Sequence, residues 1–225
     1  MKPIPIFVGY DPRESVAYHA FCQSVVSRAS IPVSFIPLAK NTLGGFDGQR
    51  DGSNEFIFSR FLVPFLTGFS GHAIFCDGDM VCKADIAELW EMRDHFKAVQ
   101  VVKHDYKTKH PSKYLGAKNE DYPRKNWSSV MIWNCAHYMN QHLRPAKLET
   151  VTGAYLHRFQ WLPDERIGEL PKEWNWLTME YPENPDAKLL HYTVGTPCFS
   201  EYTKSDHARD WHQEHFQMNY CEQRA

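Results

Sequence analysis

The sequence predicts an α/β fold: a mostly parallel, Rossmann-like sheet flanked by helices, in a single domain spanning residues 1–225. Three observations predict it. Short apolar, β-branched runs alternate with longer segments of helical spacing. The chain has 225 residues, 43% hydrophobic and 23% charged, which is enough to bury one sizeable core. The run His72-Ala73-Ile74-Phe75-Cys76 ends in Asp77-Gly78-Asp79, which places two carboxylates at the carboxyl end of a buried strand, where open α/β sheets bind ligands.

Ile4 to Val8 is apolar and β-branched and reads as the first strand, ended by the loop Gly9-Tyr10-Asp11-Pro12. Glu14 to Arg28 follows as a helix with Val16, Phe21, Val25 and Val26 on its apolar side. Val33 to Leu38 is the second strand, and the Gly-, Asp- and Asn-rich stretch from Leu43 to Asn54 is a loop. Asn54 would cap a helix from Glu55 to Leu66, with Phe58, Phe61, Leu62 and Phe65 at helical spacing. The third strand, Ala73 to Cys76, leads into the acidic pair. Ile86 to Arg93 reads as a short helix and Ala98 to Val102 as a fourth strand. Residues 103–127 are polar and form a long loop, of the length that usually serves function. Beyond it come a strand at Ser129 to Trp133, a largely helical stretch from Leu143 to Phe159 and an irregular segment from Pro163 to Trp176. A late strand at Lys188 to Tyr192 and an amphipathic docking helix at Ser205 to Met218 complete the chain.

A formal net charge of −2 and a pI near 6.6 argue against a nucleic-acid partner, which requires a basic face. No apolar run approaches the length of a membrane span, and the amino-terminal apolar stretch is too short for a signal peptide. The six cysteines show neither a Cys-x-x-Cys pair nor zinc spacing, and Cys22, Cys76 and Cys135 lie in apolar stretches. A reducing cytoplasm is the expected compartment.

In extended chain, residues i and i+2 point to one side, so Asp77 and Asp79 can face one point. Two hard oxygen donors suit Mn²⁺ or Mg²⁺, which commonly bridge carboxylates to a diphosphate. Taken alone, an Asp-Gly-Asp is also an ordinary polar turn. Arg60 precedes the acidic strand, and His191 stands far behind it in Leu189-Leu190-His191-Tyr192-Thr193-Val194-Gly195.

Phe58-Ser59-Arg60-Phe61-Leu62-Val63-Pro64, then Ala73 through Val81, then His191 through Gly195 occur in an order that resembles the retaining nucleotide-sugar glycosyltransferases of the glycogenin and lipooligosaccharide galactosyltransferase family (family 8), in a divergent branch of phage or bacterial type. The resemblance runs from the first strand to Phe199. It implies a GT-A fold and transfer of a hexose from a nucleotide sugar, a UDP-sugar above all, with retention, to a glycan, protein or small-molecule acceptor. It implies that Asp77, Asp79 and His191 hold Mn²⁺ or Mg²⁺ against the donor diphosphate, with Gly78 and Gly195 in the donor-binding turns. Arg60 would place the acidic pair and the donor, Tyr10 and Asp11 would meet the nucleobase, and Asp164 or Glu165 would stand near the reacting carbon. The sequence departs from the family at Pro197-Cys198-Phe199, where the family has Lys-Pro-Trp, and at Trp127-Ser128-Ser129-Val130, where it has Asn-Ala-Gly.

Three rivals remain open on sequence. An aspartyl-nucleophile phosphohydrolase also carries Asp-x-Asp after an apolar strand, but on its first strand. A nucleotidyltransferase needs a basic Gly-rich loop, and Gly9-Tyr10-Asp11-Pro12-Arg13 is a poor version of one. A nucleotide-sugar-binding module without turnover would share the fold. Lys103, His104 and Asp105 end a strand and are further candidates for contact with donor sugar or acceptor, or plain loop residues.

Overall fold

The computed structural model describes residues 2–46 and 56–220. Six strands form the main sheet: β1 (Ile4–Gly9), β2 (Val33–Leu38), β3 (His72–Cys76), β5 (Val99–Val101), β6 (Val130–Asn134) and β7 (Ile167–Glu169). Their order is β2-β1-β3-β6-β5-β7. Only β6 runs against the others, pairing antiparallel with both β3 and β5. The predicted mostly parallel sheet is therefore the observed one. A second sheet holds β4 (Met80–Cys82), β9 (Leu189–His191) and β8 (Trp176–Leu177), in the order β4-β9-β8.

Helix α1 (Ser15–Val26) packs Ala20, Phe21 and Val25 inward. Short helices α2 (Val63–Leu66), α3 (Ile86–Glu91), α4 (Pro145–Leu148) and α5 (Gly153–His157) follow, and α6 (Ala208–Met218) closes the described chain. As expected, α6 docks rather than floats. Trp211 is buried, and Glu214 accepts a hydrogen bond from Arg28 just beyond α1 at 2.7 Å. No helix among the described residues is long and apolar enough to cross a membrane. The five described cysteines are all free thiols; Cys76, Cys82 and Cys135 are buried and Cys22 is half-buried.

Two expected helices are interrupted, for one reason each, while α1, α3 and α6 fall within three residues of their expected bounds. The segment before the acidic strand is a 3₁₀ turn, Ser59–Leu62, running into α2. Pro64 has no N–H to continue an α-helical ladder from Arg60, so no long helix can form. The expected cap Asn54 and the first helical residue Glu55 lie outside the described residues. The stretch from Leu143 to Phe159 splits into α4 and α5, because Pro145 and Thr152 each begin a new helix. The Thr152 hydroxyl caps α5 by accepting from Tyr155 N at 3.1 Å.

The segment expected to be irregular contains β7 and β8, and β4 follows the acidic pair directly. These strands are two or three residues long, too short for period-two alternation to declare itself. They matter beyond their length. Antiparallel pairing of β4 with β9 sets Met80 opposite His191, and Tyr192 N donates to Asp79 O at 2.9 Å. The late histidine is thereby brought beside the acidic turn.

Candidate metal and diphosphate site

Asp77 and Asp79 leave the carboxyl end of β3, and Asp77 N is fixed by donating to Ser129 O at 2.9 Å. Between them Gly78 passes so close to the end of β1 that a Cβ would lie 2.4 Å from Gly9 O. Glycine is required here by contact with backbone, not by an unusual φ. Gly195 is required differently: a Cβ there would meet the Tyr202 ring at 2.2 Å.

His191 Nε2 lies 3.5 Å from Asp79 Oδ1 and 3.9 Å from Asp77 Oδ2. One ligand atom from each of the three residues falls within 4.8 Å of the others. Donor atoms about 2.1 Å from a shared ion are separated by roughly 3 to 4 Å, so the spacing fits a single small divalent cation. All three residues are buried, at 7%, 8% and 2% exposure, and Asp79 Oδ1 has no hydrogen-bond donor of its own. A buried carboxylate oxygen left without a partner is costly. A proton on Nε2 or a cation between the three satisfies it.

Asn175, fully buried, decides which nitrogen of His191 faces the carboxylates. Its Nδ2 donates to Ser129 Oγ at 2.8 Å and to Asn126 O at 3.2 Å. The carbonyl of Asn126 can only accept, so the amide's Oδ1 must point the other way, to His191 Nδ1 at 3.0 Å. Nδ1 therefore carries the hydrogen, and the lone pair of a neutral ring sits on Nε2, toward the acidic pair. A second partner that fixes a histidine's tautomer is the usual companion of a ligating imidazole. Asn126 holds its own place with φ near 61°, a conformation asparagine tolerates.

Arg60 is buried with its Nη1 2.8 Å from Asp77 Oδ1 and donating to Ser128 O at 3.0 Å. Its guanidinium lies 5.1 Å from the ring centroids of both Phe56 and Phe75. Burial pushes the Asp77 carboxyl up to about 6, with Arg60 pulling against it and Asp79 adding to the push. Burial opposes ionisation of Asp79 too, but the neighbouring His191 and Lys113 hold its carboxyl below the ordinary range.

These groups line a cavity of about 70 Å³. Its roof comes from the predicted functional loop, through Lys113, Tyr114, Tyr122 and Asn126. Neither Lys113 nor Asn175 was legible as a site residue, since each lies in a segment without pattern and reaches the site only through tertiary packing. His157, the last residue of α5, also reaches the cavity only through tertiary packing: its Nδ1 pairs with Ser128 Oγ at 2.7 Å, and burial keeps the ring neutral, pushing its pKa down to about 3.

The other expected residues are placed as follows. Tyr10 follows β1 and meets Tyr18 edge to face at 5.5 Å. Asp11 is buried and caps the turn Pro12–Glu14, accepting from Arg13 N at 3.0 Å and Arg13 Nε at 2.9 Å. Asp164 and Glu165 are not brought to the cavity. Both are exposed at the amino end of β7, the opposite edge of the sheet from the carboxyl end of β3. Asp164 pairs there with Arg124, and acidic residues in a first helical turn have a structural reason to exist. His104 is buried, with Nδ1 2.8 Å from the Tyr181 hydroxyl.

Glu14 is an unexpected buried carboxyl beside this site, 3.3 Å from the Thr196 hydroxyl. Burial, then Asp79, pushes its pKa from the ordinary carboxylate range up to about 8. A raised carboxyl pKa means the folded state favours the proton. The stabilising contribution is full below the unfolded pKa and is lost as pH rises through about 8. Glu14→Gln is therefore expected to melt at a higher temperature than the parent chain at pH 9 and at a similar temperature at pH 5, read by thermal denaturation at both.

Comparison with known proteins agrees with this architecture. No family model matches the chain. It is 43% identical over 228 aligned positions to Protein CDI of Arabidopsis thaliana, covering 97% of this chain and 88% of that protein. Among solved structures it is similar to the bifunctional glycosyltransferase WbbM, with a TM-score of 0.66 and 16% identity, across 95% of this chain and 49% of that one. It is similar to the glycosyltransferase GlyE of Streptococcus pneumoniae TIGR4, with a TM-score of 0.63 and 11% identity, over 96% of this chain and 60% of that one. The galactosyltransferase LgtC, solved with donor and acceptor sugar analogues, matches with a TM-score of 0.57 and 11% identity over 97% and 98% of the two chains. The chain thus spans about half of WbbM, three-fifths of GlyE and nearly all of LgtC. The fold is that of the GT-A glycosyltransferases.

Proposed function

This chain belongs to the family of Protein CDI, and from its fold and its acidic site we propose that it is a metal-dependent glycosyltransferase that moves a hexose from a UDP-sugar to an acceptor with retention of configuration. The observation that carries the reading is the convergence of Asp77, Asp79 and His191 Nε2 on one point at the carboxyl end of β3. The likeness to LgtC, a structure holding donor and acceptor sugar analogues, supports the choice of substrate class.

Asp77, Asp79 and His191 would hold Mn²⁺ or Mg²⁺, which supplies Lewis-acid stabilisation of the departing diphosphate. Asn175 keeps Nε2 free for that task by accepting the hydrogen of Nδ1. Arg60 orients Asp77 through their ion pair and closes the floor of the site with Phe56 and Phe75. The cavity that Arg60, Asp77, Asp79 and His191 line with Lys113 would take the ion and the diphosphate, and Tyr10, which follows β1, would meet the nucleobase. Asp164 and Glu165 are assigned no part in the chemistry. The free thiols suit a reducing compartment, and we place the protein in the cytoplasm.

The test is release of UDP from UDP-glucose and UDP-galactose, with Mn²⁺ and with EDTA. Slow, Mn²⁺-dependent release that EDTA stops is expected. Cleavage of phosphate monoesters with no action on UDP-sugars would replace this reading with that of an aspartyl phosphohydrolase. UDP binding without turnover across an acceptor panel would leave a binding module.

A further inference from the structure

Lys113 is held in the cavity by more structure than a loop lysine ordinarily has. Its backbone N donates to Ala117 O at 2.7 Å, which closes a tight turn in the roof loop. The next residue ties that turn to the segment behind His191: Tyr114 N donates to Val194 O at 2.8 Å, and the Tyr114 ring stacks on Phe199 with centroids 5.0 Å apart. The ammonium thus faces the same cavity as Asp77, Asp79 and His191.

Its local partner does not explain why a charge is kept there. Nζ donates to the Thr193 hydroxyl at 3.1 Å, and among the described residues no carboxylate lies within ion-pair distance of it. Asp79, Asp77 and Glu180 attract it only through space, and Lys125 repels it. Lys113 is half-buried, and holding an ammonium there against one neutral hydroxyl is unfavourable unless an anion completes the shell. Arg60, the other strong base lining the cavity, is already committed to Asp77 and to Ser128 O. Once an ion cancels the charge of the two aspartates, Lys113 is the positive group left facing whatever anion the ion binds.

We propose that Lys113 binds the terminal phosphate of the nucleoside diphosphate and neutralises the charge that develops there as the sugar departs. The assignment rests on the nucleotide-sugar reading above. In the transfer, the anomeric C–O bond breaks with its electron pair left on the phosphate oxygen. The acceptor hydroxyl oxygen forms the new bond to that carbon, and its proton passes to the departing diphosphate. Lys113 Nζ donates a hydrogen bond to the oxygen that gains charge and keeps its own proton throughout. A fixed ammonium of this kind acts where charge appears and needs no reorganisation at the moment of reaction.

Calorimetric titration of the full chain with Mn²⁺ alone, then with UDP, pyrophosphate and UMP in the presence of Mn²⁺, tests the role without any turnover. Lys113→Met is expected to weaken UDP and pyrophosphate by about 10- to 100-fold, the loss of one charge-assisted hydrogen bond. It should leave UMP nearly unchanged. Mn²⁺ alone should bind as tightly or more tightly, because a positive neighbour of the two carboxylates has gone. Lys113→Arg should retain most of the UDP affinity. A purely structural lysine would instead weaken Mn²⁺, UMP and UDP together, and that result overturns the proposal. So does a methionine variant that binds UDP like the parent chain. If Lys113→Met does not fold, Lys113→Gln carries the same comparison with a polar, uncharged side chain. A parent chain that binds no UDP with Mn²⁺ removes the nucleotide reading itself, an outcome separate from failure of the lysine alone.

Discussion

Replacing Asp79 with asparagine is expected to remove Mn²⁺ binding and every Mn²⁺-dependent reaction while leaving the fold in place. The reasoning separates backbone from side chain. The backbone of Asp79 joins β3 to the β4–β9 pair, because its carbonyl accepts from Tyr192 N. Asparagine keeps that bond and the volume. The carboxylate, by contrast, has a buried oxygen with no donor, facing His191 Nε2. An amide there offers a weak neutral ligand, or turns an N–H toward Nε2 and satisfies the histidine lone pair internally. Changes in the outer shell of metal sites commonly cost 10- to 100-fold in affinity, so losing a ligand is expected to cost at least about 100-fold. Manganese titration by electron paramagnetic resonance, with UDP release measured in parallel, reads the effect. Unchanged Mn²⁺ affinity would show that the acidic pair is a turn and nothing more.

The acidic pair was readable because its chemistry is local, whereas His191 was reached only through the order of motifs that resembles a known family. A strand ending in alternate carboxylates has fixed geometry, and the apolar run that precedes it is long enough to be recognised. The longer strands were readable in the same way, from their apolar, β-branched runs, while their order in the sheet was not. What could not be read depends on pairing between remote segments. Three-residue β4 has no periodicity to detect, yet its register with β9 is what seats His191 beside Asp79. Asn175 lies in a 3₁₀ turn between a proline and a short strand, and nothing local distinguishes it from a turn asparagine. Lys113 lies in a polar loop among other lysines, and its place facing the ion site is set by contacts to a remote segment, from Tyr114 N to Val194 O and from Nζ to the Thr193 hydroxyl. Asp164 and Glu165 show the converse. Their position along the chain suggested a catalytic role, but the parallel pairing of β7 with β5 puts the amino end of β7 on the far edge of the sheet.

Asn175→Leu is the second substitution with a large expected effect, and it acts without touching a ligand atom. The side chain makes three hydrogen bonds in a fully buried position: from His191 Nδ1, to Ser129 Oγ and to Asn126 O. Leucine fills a similar volume but strands the Nδ1 hydrogen away from water and takes one donor from Ser129 Oγ and Asn126 O, which keep their bond to each other at 2.7 Å. One unsatisfied buried group costs about 1–3 kcal/mol, so a clear fall in melting temperature is expected even without metal. The loss of Mn²⁺ affinity, about 10- to 100-fold, comes from a different source. A ring freed from Asn175 can place its hydrogen on Nε2, where it points at Asp79 and must be displaced before an ion can bind. Asn175→Asp separates the two effects. It still accepts from Nδ1, but it has no hydrogen to donate to Ser129 Oγ or Asn126 O, and the Ser129 hydroxyl already donates to Asn126 O at 2.7 Å. It should therefore lose stability yet hold Mn²⁺ better than the leucine variant does, because a carboxylate behind the imidazole raises the basicity of Nε2. Equal Mn²⁺ affinity in both variants and the parent chain would mean that His191 takes no part in binding the ion.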